Sequence, residues 1–247
     1  MELEGKNAIV TGGSVGIGAA IAKAFAKEGA NVAINYRKHD AEAKEVVRRI
    51  ESAGRKGIAI QADVANFDDT QAMVENAITA FGRLDILVNN AGITRDSTVW
   101  KMTEQMWDDV IATNLKGYFN YIHAAAGPFK DQRYGRIVNI TSINGLRGKF
   151  GQSNYSASKG GIIAMTKAVA RELGKFDVTV NAVAPGLVYT EMMTDLPREW
   201  VERALSETAT GRLASPEDVA NVVVFLASER ARCITGEVVN CSGGQYM

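Results

Sequence analysis

Apolar residues along the chain fall into two alternating periods. Short runs, β-branched and apolar at nearly every position, recur at Asn7–Thr11, Asn31–Asn35, Gly57–Gln61, Asp85–Asn89, Gly135–Ile140, Val178–Val183 and Glu237–Asn240. Between them lie longer stretches whose apolar residues return at helical spacing: Ile17–Lys27, Ala41–Ala53, Asp68–Phe81, 104–126, 153–173 and 216–228. Gly29 and Gly54 follow the first two of these, where a left-handed stop is expected. Strands that are apolar throughout are covered on both faces. Their alternation with helices therefore predicts an α/β fold, a mostly parallel, seven-stranded, doubly wound sheet of Rossmann type. No Pro/Gly/Ser-rich linker and no repeat interrupts the pattern, so one domain is expected over residues 1–247. Three of the four prolines, Pro185, Pro197 and Pro216, flank an irregular stretch at 186–214. It is too long for an ordinary connection and is expected to form a helical substrate lid.

Composition narrows the classes. Hydrophobic residues make up 46% of the 247 and charged residues 23%, a globular profile that excludes a disordered or fibrous chain. Formal net charge is zero and the basic residues are dispersed, so no nucleic-acid partner is expected. Met1–Lys6 lacks a signal-peptide pattern, and no apolar run of about 18 residues offers a membrane span. The expectation is a cytoplasmic protein. Cys233 and Cys241 form no disulfide framework, and no Cys/His cluster points to a metal.

Thr11-Gly12-Gly13-Ser14-Val15-Gly16-Ile17-Gly18 joins the first strand to the first helix. Glycine there permits close approach of a pyrophosphate, which then sits against the free N–H groups and positive dipole end of the helix. The spacing is looser than G-x-G-x-x-G, and such a turn also serves plain packing. Gly12-x-Ser14-x-Gly16 matches a hydrolase nucleophile elbow as well. That reading needs a later acid and histidine. His39 follows the second strand at once, and His123, in an apolar helix, reads as a packed side chain. At the end of the second strand, Ile34-Asn35-Tyr36-Arg37-Lys38 carries no acid before Asp40. An acid there would bind a ribose 2′-hydroxyl, whereas an arginine fork suits a 2′-phosphate. NADPH is therefore favoured, with NADH possible.

Tyr155 and Lys159 lie four apart on a helix and share a face. A tyrosine near an ammonium can give a proton to a forming alkoxide and take it back in oxidation. Ser142, past the end of the fifth strand, is placed where doubly wound folds receive ligands and can hydrogen-bond a substrate oxygen.

Thr11-Gly12…Gly16-Ile17-Gly18, Asp63-Val64, Asn89-Asn90-Ala91-Gly92, Asn114, Ser142, Tyr155-x-x-x-Lys159 and Pro185-Gly186 stand in one order and spacing. In these the whole chain resembles the short-chain dehydrogenase/reductase family. The resemblance implies Tyr155 as general acid/base, Ser142 as carbonyl-positioning group, and Lys159 as the group that lowers the tyrosine pKa and holds the nicotinamide ribose. It implies Asn114 as the anchor of a water in a proton relay. Around the cofactor it implies Gly12, Ser14, Gly16, Ile17 and Gly18 at the phosphates, and Asp63 and Val64 at the adenine. Asn90 and Gly92 would lie on the adenosine side, with Pro185, Gly186, Val188 and Thr190 at the nicotinamide. It also implies a homotetramer.

Within the family, Asn90–Asp96, Lys101-Met-Thr103 and Gly151-Gln152-x-Asn154-Tyr155 resemble reductases of 3-oxoacyl thioesters carried on acyl carrier protein or coenzyme A. Gln152 is expected to point its amide over the substrate carbonyl, with Leu146 and Phe150 as apolar wall. Met192, Met193, Leu196 and Trp200 would cover an acyl chain. Arg133 matches half of a basic pair on the carrier-protein docking face; Phe176 stands at the other half, leaving coenzyme A thioesters open. A sugar or polyol dehydrogenase on the same fold and a non-catalytic dinucleotide sensor remain the alternatives.

Overall fold

The computed structural model describes residues 1–189 and 198–247, apart from the side chains of residues 198 and 200. Seven strands form one sheet: β1 (Asn7–Val10), β2 (Asn31–Tyr36), β3 (Gly57–Gln61), β4 (Ile86–Asn89), β5 (Gly135–Ile140), β6 (Val178–Pro185) and β7 (Val238–Cys241). Their order is β3-β2-β1-β4-β5-β6-β7 and every neighbouring pair is parallel. The expected mostly parallel sheet is parallel throughout.

The apolar strands sort their side chains to two faces by the period-two alternation of extended backbone. Ala8, Val10, Val32, Ile34, Ile86, Val88, Val138 and Ile140 pack on one side, with α1 (Gly16–Lys27), α2 (Asp40–Ser52) and α9 (Pro216–Ala227). Ile9, Ala33, Leu87 and Ile137 point the other way, onto α3 (Phe67–Phe81), α5 (Gly117–Gln132) and α7 (Ser153–Leu173). Neither face is left to water, which is why these strands read as unbroken apolar runs.

Local signals set the helix ends. The Asn66 side chain accepts from the Asp68 and Asp69 amides to start α3, and Gly82 at φ 86° ends it. Ser215 and Asp218 form a reciprocal capping box on α9, with Pro216 in its first turn.

One helix differs from the pattern-based expectation in two ways. The single helix expected at 104–126 is α4 (Glu104–Val110), a π-helical turn (Ile111–Lys116) and α5. Side-chain periodicity cannot register one inserted residue, so the π turn left no mark in it. Helix α5 also runs through Gly127-Pro128 to Gln132. A short helix, α6 (Ile143–Arg147), follows β5. In the stretch at 186–214 the structure shows α8 (Arg198–Ser206), and the two ends meet where Tyr189 N donates to Ala214 O at 2.8 Å. Thr190, Met192, Met193 and Leu196 lie outside the described residues, as does the side chain of Trp200.

Candidate active site

The strand order reverses between β1 and β4, and the carboxyl ends of β1, β4, β5 and β6 deliver the candidate residues to one edge. An open cleft of about 730 Å³ runs along that edge. Gly12, Ser14, Gly16, Ile17, Arg37, Asp63, Val64, Asn90, Gly92, Ser142, Tyr155, Lys159, Pro185, Gly186 and Val188 all line it. Gly18, Asn114 and Gln152 do not line it. A groove of about 780 Å³ between α1, α2 and α9 contains none of the candidates.

The glycine turn packs tightly against its own backbone and the loop after β4. Gly12 has φ 61°, and a β-carbon there would stand 3.0 Å from Ala91 Cα. A β-carbon at Gly18 would collide with the Gly12 carbonyl. Val15, at the N-cap of α1, provides no side-chain acceptor, so that helix start offers its first N–H groups uncapped. The turn is held by two asparagine side chains. Asn90 Nδ2 donates to the carbonyls of Thr11 (2.9 Å) and Gly12 (3.2 Å), and Asn90 N donates to Thr11 Oγ1 (2.8 Å). The buried Asn35 accepts from Gly12 N (2.7 Å) and donates to Ala62 O (2.8 Å). Sequence reading passed over Asn35, although a polar side chain ending an apolar strand was the available signal.

At the far end of the cleft, Arg37 Nη1 stands 3.5 Å from Asp63 Oδ2, both half-exposed. Asp40 is turned away: it accepts from Tyr36 Oη (2.7 Å) and pairs with Lys44 (2.8 Å). A dinucleotide cofactor fits these features. The tight turn and uncapped helix start suit its pyrophosphate, and Arg37 and Lys38 suit a charged ribose substituent.

Toward the middle of the sheet, Ser142 caps α6 by accepting from Asn144 N (3.1 Å), and it lines the cleft together with Tyr155. Lys159 is buried. Its Nζ donates to Ile140 O (2.8 Å), lies 3.4 Å from Tyr118 Oη and 5.6 Å from the Tyr155 ring centre. Gly92 makes room here, since a β-carbon would meet Asn114 Oδ1 at 3.3 Å and Lys159 Nζ at 3.7 Å. Asn114, inside the π turn, accepts from Ile93 N (2.8 Å) and donates to Ile93 O (3.0 Å) and Ser158 Oγ (3.2 Å). The bulge aims that side chain at the loop after β4, a common use of π turns.

Several expectations need correction. Burial pushes Lys159 down to about 7, so near neutrality it carries only part of a charge. The Tyr155 phenol is raised by burial, with the Ser142 hydroxyl opposing and the Asp96 charge adding to the rise, so the expected net lowering is not what this geometry gives. Gln152 does not hold its amide free over the cleft: Nε2 donates to Asp96 Oδ2 (2.7 Å) and Oε1 accepts from Asn144 Nδ2 (3.0 Å). Polar neighbours nearer than any substrate claimed it. His123, expected to be packed, is exposed between the rings of Phe67 (5.1 Å) and Phe119 (5.9 Å). The described residues contain no cluster of three or more potential metal ligands and no helix long and apolar enough to cross a membrane.

Such a sheet, with a glycine turn at its switch point and a Ser-Tyr-Lys group two strands away, defines a doubly wound ligand-binding α/β protein. Comparison with known proteins narrows the class. The family model described as enoyl-(acyl carrier protein) reductase matches residues 12–245, and the chain belongs to the short-chain dehydrogenase/reductase family of oxidoreductases. It is 48% identical over 242 residues to the 3-oxoacyl-[acyl-carrier-protein] reductase of Staphylococcus aureus strain N315, covering 98% of each chain. It is 45% identical over 241 residues to the acetoacetyl-CoA reductase of Rhizobium meliloti strain 1021, covering 97% of this chain and 98% of that one. A Sinorhizobium meliloti 1021 crystal structure assigned to the short-chain alcohol dehydrogenases superposes with a TM-score of 0.94 at 36% identity, covering 99% and 97%.

Proposed function

We propose that the protein reduces a 3-oxoacyl thioester to the 3-hydroxyacyl thioester, using NADPH in preference to NADH. The observation that carries the reading is the single cleft that holds the glycine turn, Arg37 and the Ser142–Tyr155–Lys159 group together. Full-length relatives named for that reaction supply the substrate class.

A bound nicotinamide supplies the hydride. Ser142 and Tyr155 line the same cleft, and each has one hydroxyl proton that can be donated to a substrate carbonyl oxygen. As charge grows on that oxygen, the phenol transfers its proton to it, and its raised affinity for protons keeps it in the acid form near neutrality. Lys159, close to its own midpoint near neutral pH, is suited to pass a proton toward the tyrosine; Asn114 fixes the loop over that path.

Two hydroxyls in one cleft suit the oxyanion that forms in carbonyl reduction, whereas an enoyl thioester requires protonation at carbon. The pairing of Arg37 with Asp63 orients a guanidinium at the ribose end, and Asp40 is engaged elsewhere, which supports the preference for a 2′-phosphate. A homotetramer, one catalytic domain and a lid over 186–214 complete the proposal.

The test is steady-state oxidation of NADPH and NADH with acetoacetyl-CoA, a longer 3-oxoacyl thioester on both carriers, an enoyl thioester and a simple ketone, and glucose oxidation in reverse. Fastest turnover of a 3-oxoacyl thioester with NADPH is expected. Faster glucose oxidation would replace the reading with a sugar dehydrogenase, and faster enoyl reduction would move it to the neighbouring reaction.

A further inference from the structure

The bonds around Gln152 extend beyond a substrate contact. Both neighbours of Asp96 are fastened to the start of α7: Arg95 O accepts from Asn154 Nδ2 (3.0 Å), and Ser97 N donates to Gly151 O (2.8 Å). Asp96 is therefore fixed in place although its side chain is exposed. A carboxylate only accepts hydrogen bonds, so Gln152 must turn Nε2 toward it. Gln152 Oε1 then faces Asn144, which must answer with Nδ2. Asn144 Oδ1 is left facing away, buried and without a hydrogen-bond partner. The same Asn144 donates its backbone N–H to Ser142 Oγ. With a lone pair of Oγ used in that way, the Ser142 hydroxyl keeps its own proton to donate into the cleft it shares with Tyr155. One anionic group thus fixes the sense of both side-chain amides, and Asn144, at the end of that chain, holds Ser142 through its backbone N–H.

We propose that Asp96 is a positioning residue for proton transfer at Tyr155, orienting the Gln152 and Asn144 amides beside Ser142 and setting the charge that Tyr155 meets. The proposal rests on the reading of Tyr155 as the acid/base. The groups facing Tyr155 among the described residues are Lys159 from its own helix, Tyr118 from α5, Ser142 after β5, and Asp96 from the loop after β4. The neighbouring Arg95 is directed to Asp109 (3.8 Å), on α4. The Asp96 charge opposes ionisation of the phenol, and the Ser142 hydroxyl favours it.

The test is a titration of phenolate absorbance, taken as the difference between each protein and its Tyr155→Phe counterpart, alongside kcat/KM for acetoacetyl-CoA. D96N, and D96S as a second charge-free variant, should titrate at lower pH than wild type, while D96E stays close to it. Q152L keeps the charge and breaks the chain of amides. It should leave the titration in place and lower kcat/KM about tenfold, the scale of one hydrogen bond to a charged group. Wild-type titration in both D96N and D96S would overturn the proposal, as would wild-type kcat/KM in Q152L. The titration needs no substrate, so its outcome stands even if the thioester reading fails.

Discussion

Replacing Lys159 by methionine should stabilise the protein while abolishing its activity. The side chain is 3% exposed, and burial lowers its pKa from 10.5 to about 7. Between those two values the unfolded chain holds one more proton than the folded one, so stability rises with pH across that window. Below the folded value of about 7 the penalty for burying the ammonium is complete; it is relieved as pH climbs toward 10.5. Integrated over the shift, the penalty near neutrality is on the order of 4 kcal/mol. Methionine matches the unbranched stem and carries no charge. Ile140 O keeps a donor in the variant, because Tyr118 Oη already lies 3.0 Å from it. Lys159→Met should thus gain up to about 4 kcal/mol at pH 7, or roughly 10 °C in Tm for a chain of this size. The gain should shrink as pH rises. Urea unfolding of both proteins in steps across that pH window measures it, and the difference cancels every other titrating group. A variant no more stable than wild type at neutral pH, or a gap that ignores pH, would refute the reasoning.

Two further substitutions test the cofactor end of the cleft. Arg37→Ala should raise KM for NADPH far more than for NADH, measured by initial rates; equal effects would remove Arg37 from the phosphate site. Gly18→Ala places a β-carbon against the Gly12 carbonyl and 2.6 Å from Asn90 Nδ2. It should destabilise by about 1–3 kcal/mol and abolish nucleotide binding, as read by denaturation midpoint and cofactor fluorescence; unchanged binding would show the turn to be mere packing.

The sheet was legible because strands covered on both faces are predominantly apolar: all seven, from Asn7–Val10 to Val238–Cys241, fall within a residue or two of the apolar runs. The turn at Gly12–Gly18 and the Tyr155/Lys159 pair were legible because spacing alone puts them on one helix start and one helix face. What escaped was set by contacts between distant segments. Nothing near Gln152 in the chain announces Asp96, 56 positions away, as its partner. The π turn that aims Asn114 changes the helix by a single residue. Tyr118, fully buried against Lys159, reads along the chain as one more apolar position on α5. The direction of the Lys159 and Tyr155 shifts was missed for the same reason, since desolvation depends on everything packed around a group and not on its neighbour four residues away.

The most direct test of the account compares wild type with Tyr155→Phe in the reduction of acetoacetyl-CoA by NADPH, with cofactor affinity measured on both. Removal of the phenol hydroxyl should leave NADPH binding unchanged and lower kcat by about a hundredfold or more, as loss of a general acid does. A variant that reduces the thioester at close to the wild-type rate would contradict the assignment of the proton to Tyr155.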